Sequence, residues 1–154
     1  MLGLLAIPFI TACNNPNNAF KNANGCIECD NYSVGDNFFL NLKKMTVADR
    51  SILETAIRSG EDLSQFCVSK VTDMANLFTN YNKSNPDITN WDVSNVSNMT
   101  GMFKGSSFNQ DIGNWDVSNV VYMGEMFEAT WSFNQNIGGW DVSNVTYMHR
   151  MFYK

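Results

Sequence analysis

Trp115-Asp116-Val117-Ser118-Asn119-Val120, followed by Met123, Met126 and Phe127, decides the fold, because the same series returns along the chain. The hexapeptide starts again at Trp91 and Trp140, and a divergent form, Phe66-Cys67-Val68-Ser69-Lys70-Val71, precedes them, so the starts are 25, 24 and 25 residues apart. Each opening leads into a Met-x-x-(Met/Leu)-Phe series: Met74, Leu77, Phe78; Met99, Met102, Phe103; Met123, Met126, Phe127; Met148, Met151, Phe152. Leu63, Ile88, Ile112 and Ile137 stand three residues ahead of the opening aromatics, and two copies add Phe108-Asn109-Gln110 and Phe133-Asn134-Gln135. A period of this length signals a repeat array, in which a unit too small to bury its own apolar face stacks on its neighbours.

Within a copy, Trp115 and Val117 alternate with Asp116, the pattern of a strand, whereas Val120, Met123 and Phe127 step by three and four, the pattern of a short helix. Residues 63–154 therefore read as an α/β solenoid of four strand-plus-helix units. The expected core columns are Phe66, Trp91, Trp115 and Trp140; Met74, Met99, Met123 and Met148; and Phe78, Phe103, Phe127 and Phe152. The last copy reads as incomplete and lacks a polar cap, so the sequence is expected to be a fragment of a longer array.

The series WDVSNVxxMxxMF resembles the BspA-type leucine-rich-repeat surface proteins, a bacterial family that includes many mycoplasmal lipoproteins. The resemblance covers residues 63–154, and the stretch from Val34 through Asp49-Arg50 to Met74 is similar to the segment that leads into such arrays. It implies a leucine-rich-repeat stack, display at the bacterial surface, and adhesion to host, matrix or neighbouring-cell protein or glycan.

Ahead of the array, Val47, Ile52, Leu53, Ala56 and Ile57 give one apolar helical face, so a capping helix is expected over about 47–58, with Thr46 as N-cap and Gly60 as C-cap. Residues 34–42 suggest a short strand, and 29–62 form an N-terminal capping segment. Residues 1–12 are apolar and end in Ile10-Thr11-Ala12-Cys13, which resembles a lipobox, so they read as a lipoprotein signal peptide with Cys13 as the lipidated residue. The apolar run is too short to cross a bilayer, which takes about 20 residues. The Asn-rich stretch within 13–28 reads as a flexible tether.

Cys26, Cys29 and Cys67 then remain in an exported chain, where disulfides persist. Closing the longer loop favours Cys29 with Cys67; Cys26 as the partner and a free, buried Cys67 stay open as alternatives. The Cys26-Ile27-Glu28-Cys29 spacing alone lacks the second ligand pair of a zinc site, and only Cys67 and His149 remain to supply one. No cofactor or metal is expected.

The net charge of −5 argues against nucleic acid as a partner. Asp92, Asp116 and Asp141, with Asn95, Asn119 and Asn144, recur in register; bonds that hold each turn account for them better than a calcium ladder does. His149 has no Ser or Cys partner fixed beside it, and the acids are dispersed, so no catalytic set is recognisable. Tyr122, Trp131 and Tyr147 fall outside the core register and form the candidate contact surface. The expected protein is a lipid-anchored, non-enzymatic component of the bacterial cell envelope, at the cell surface or outer membrane, that serves adhesion or recognition. The alternative is a structural envelope lipoprotein without an external ligand.

Overall fold

The computed structural model describes residues 20–23, 25–83 and 85–154. The signal peptide, Cys13 and the first part of the expected tether lie outside the described residues.

The rest of that tether is not a free linker. Strand β1 (Phe20–Lys21) pairs antiparallel with β2 (Ile27–Glu28), around a turn in which the Gly25 N–H donates to the Asn22 carbonyl at 2.9 Å. The Ile27 N–H donates to the Asn90 carbonyl at 3.0 Å, and Ile27 bridges to Trp91, so the hairpin docks on the second copy. Two-residue strands are too short to show a period, which leaves only the turn residues legible in the sequence.

Strands β3 (Asn37–Leu40) and β4 (Lys43–Val47) form a second hairpin, joined by Asn41 and Leu42. The expected strand over 34–42 is thus shorter, with its end taken by a turn. β4 continues in parallel onto β5 (Phe66–Cys67), with Thr46 opposite Phe66 and Val47 opposite Cys67. Ile27, Phe38, Met45 and Val47 pack around a disulfide between Cys29 and Cys67, whose Cα atoms are 6.3 Å apart. It fastens the N-terminal module to the first copy.

Helix α1 (Arg50–Ser59) begins three residues later than the apolar period suggests. Thr46 belongs to β4, and the N-cap is Asp49, whose carboxylate accepts from the Ile52 N–H at 2.9 Å. Gly60 closes the helix in the left-handed conformation at φ 75°. Leu53, Ala56 and Ile57 are buried against the first copy's core.

After Cys67 the described residues contain turns and isolated bridges in place of the strand expected at Trp115–Val117 and the helix expected from Val120. The reason lies in the backbone: Asn76, Asn80, Gly101, Gly105, Glu125 and Ala129 all have positive φ, so each Met-to-Phe segment leaves the right-handed helix every fourth residue. Its amides then alternate. In the second copy, Met99, Gly101, Phe103 and Gly105 donate to carbonyls of Tyr122, Gly124, Met126 and Glu128 in the third, while Met102, Lys104 and Ser106 donate three residues back. The first copy donates to the second, and the third to the fourth, in the same way. This pattern satisfies the buried backbone without a helix. At the front of the ladder, where no preceding copy donates, the Arg50 guanidinium binds the carbonyls of Asp73 at 3.2 Å and Ala75 at 2.7 Å.

Side chains follow the ladder into columns. The rings of Phe78, Phe103, Phe127 and Phe152 succeed one another at 5.6, 5.5 and 5.5 Å, nearly parallel, and Met74, Met99 and Met123 are fully buried beside them. Two expected core residues are exceptions: Met148 and Phe152 are 43% and 54% exposed. They lie in the fourth copy, over which no further copy is laid among the described residues.

Candidate functional site

The residue ahead of the first Met of each copy forms an outward column in which Asp73, Asn98, Tyr122 and Tyr147 are joined by successive parallel bridges. Tyr122 and Tyr147 are therefore neighbours, 48% and 44% exposed. The Tyr147 ring occupies the space that a side chain at Gly124 would fill, and His149 lies 6.2 Å from the same ring. Gly124 and His149 were not legible as members of this surface. The available signal was the glycine itself, at a position that other copies fill with Ala75, Thr100 and His149.

Trp131, 68% exposed, is not part of that column: it makes no ring contact with either tyrosine, and the Lys154 ammonium lies 5.8 Å from its ring. The expected three-residue surface is thus a tyrosine pair and a separate tryptophan. An ion network crosses the later copies. Lys104 reaches Glu125 at 2.5 Å and Glu128 at 3.2 Å, and Arg150 reaches Glu128 at 3.0 Å while lying 4.1 Å over the Tyr153 ring. The hydrogen bond from Lys104 holds the Glu125 carboxyl below its ordinary range.

The recurring polar residues have local work. Asp92, Asp116 and Asp141 accept from the N–H groups of Ser94, Ser118 and Ser143 at 3.1, 3.0 and 3.0 Å. Asn95, Asn119 and Asn144 donate to the carbonyls of Ser69, Ser94 and Ser118, one copy back, at 2.9, 2.8 and 2.7 Å. These bonds shape the turns and tie the copies together. Among the described residues, no group of three or more His, Cys, Asp or Glu is placed to hold a metal ion.

The tryptophans face inward. Trp91 and Trp140 donate through Nε1 to the carbonyls of Leu63 and Ile112, each at 3.1 Å, whereas the buried Nε1 of Trp115 has no partner among the described residues. Cys26, left out of the disulfide, is buried; burial first, and then the charge of Asp92, push its thiol up to about 11. No helix among the described residues is long and apolar enough to cross a membrane.

A family model described as "Mycoplasma protein of unknown function, DUF285" matches residues 42–154, from the β3–β4 turn through α1 and all four copies. No curated protein and no solved structure matches the chain.

Proposed function

Because the chain belongs to the DUF285 family of mycoplasma proteins of unknown function, we propose that it is a lipid-anchored envelope protein whose copies form a leucine-rich-type solenoid of the BspA kind, used for adhesion or recognition rather than catalysis. The observation that carries the recognition reading is the outward tyrosine pair. A backbone bridge holds Tyr122 and Tyr147 in register, so two half-exposed aromatic side chains project from one column, and each is an anchor of low entropic cost to a partner. Such a pair suits a protein or glycan of a host, matrix or neighbouring cell. Support for the anchor comes from Ile10-Thr11-Ala12-Cys13, where diacylation supplies the two chains that stable anchoring takes.

Detergent phase partitioning and protease shaving of intact cells test the reading together. The wild-type chain should enter the detergent phase and be cleaved from outside, and Cys13→Ala should leave it in the aqueous phase. A chain that is anchored but shielded from protease would instead fit a structural envelope lipoprotein. Full partitioning of the Cys13→Ala chain would remove the lipid anchor from the account.

A further inference from the structure

The tip of the β3–β4 hairpin is apolar where water would favour a polar residue. Asn41 and Leu42 both have positive φ, 50° and 67°, the geometry of a two-residue turn that favours Asn and Gly. Leucine in the left-handed region carries backbone strain. Its side chain is also 98% exposed, and Phe39, two residues before the turn, is 75% exposed. Phe39 pairs across the hairpin with Lys44, on the face away from the buried Phe38 and Met45. Lys43 is occupied by Asp62 at 3.4 Å and by Ser64, whereas Lys44 has no ion-pair partner among the described residues. An asparagine or glycine at 42 would relieve both the strain and the exposure. The environment that suits the residues present is a bilayer interface, where apolar side chains enter the acyl boundary and an ammonium meets anionic headgroups.

We propose that Phe39, Leu42 and Lys44 insert into the interface of an anionic bilayer and lay the N-terminal module against the membrane. The inference rests on the anchor reading for its reach: Phe20 follows Cys13 by seven residues, which span at most about 25 Å when extended. The tip would then set which face of the molecule points outward.

The test uses the full chain carrying Cys13→Ala, which bears no lipid, with vesicles of phosphatidylcholine alone or mixed with phosphatidylglycerol. An environment-sensitive fluorophore on Leu42→Cys should shift to the blue on the mixed vesicles, and one on Ser51→Cys should not. In flotation, Phe39→Ser with Leu42→Asn should reduce binding to the mixed vesicles at least ten-fold while keeping the melting transition, since Asn accepts positive φ. Lys44→Gln should weaken binding about five-fold on anionic vesicles and leave neutral ones unaffected. An unshifted probe at position 42 on a chain that floats would overturn the proposal, as would a double variant that binds like its parent. A probe that shifts only when a second protein is added would assign the tip to a protein partner instead. Failure of the anchor reading shows separately, as a wild-type chain that stays out of the detergent phase whatever the vesicles report.

Discussion

Arg50 donates through Nη2 to the Ala75 carbonyl at 2.7 Å, the place that the amide of a preceding copy takes further along the ladder. The Gly101 amide, for example, reaches the Gly124 carbonyl at 2.9 Å. One guanidinium spans this carbonyl and that of Asp73 because its donors are fixed in a planar fork. Its ion pairs with Glu54 and Asp73 are more than a third exposed and add little. Arg50→Ala should therefore cost about 1–2 kcal/mol, mostly from the half-buried Ala75 carbonyl, since water reaches that of Asp73, and Arg50→Lys should recover only part of it. Urea denaturation followed by tryptophan emission measures both.

The tryptophan column separates packing from hydrogen bonding. Trp115→Ala and Phe127→Ala should each cost about 3–5 kcal/mol through cavities in the stack, while Tyr122→Ala, on the outer column, should cost less than about 1 kcal/mol. Trp91→Phe removes one of the two bonds that the Leu63 carbonyl accepts, the other coming from the Phe66 N–H, whereas Trp115→Phe removes an Nε1 that has no partner among the described residues. Trp115→Phe should therefore be the milder of the two, and Phe66 already fills that place in the first copy. Equal losses at Tyr122 and Trp115 in thermal melts would mean that the inward face is wrongly assigned.

At the hairpin tip, stability and membrane contact should oppose each other. Leu42→Gly should raise stability by up to about 1 kcal/mol, since the strain relieved in the left-handed region exceeds the added freedom of the unfolded chain. The same substitution should weaken vesicle binding. A chain that is destabilised would show that Leu42 makes contacts in the fold beyond its turn.

The cysteines give a redox and a pH prediction. Opening the Cys29–Cys67 bond frees a 38-residue loop and should cost about 3–4 kcal/mol in the chain-entropy model. Cys26 should resist alkylation near neutral pH in the folded chain, because its thiol titrates at about 11 against an ordinary 9.0. With the folded value raised, the stability from burying the neutral thiol is complete below pH 9 and falls as pH rises from 9 to 11. Melts of Cys26→Ala should lose that alkaline slope. If they keep it, another group is responsible.

The copies were legible because Trp, Met and Phe recur at one spacing, and the ring columns follow from that spacing alone. Their backbone was not. The left-handed residues that replace a helix by alternating turns are Asn76, Gly101 and Glu125 at one position and Asn80, Gly105 and Ala129 at the next, so glycine marks the conformation in only one of these three copies. Thr46 misled as an N-cap because strand pairing with Phe66 claims it, a long-range effect invisible in the sequence nearby. Leu42 concealed a turn for the opposite reason, being a residue that turns avoid. The pairing of Tyr122 with Tyr147 was readable from their shared position, but their separation from Trp131 depends on where the loop after Phe127 runs.

The most direct measurement of the recognition claim is saturation binding on an array of glycans and matrix proteins, comparing the full chain with Tyr122→Ala/Tyr147→Ala at matched folding. The account predicts saturable binding to a defined partner class and at least a ten-fold loss in the double variant. Binding that the double variant keeps in full, or no binding by either chain, would contradict it.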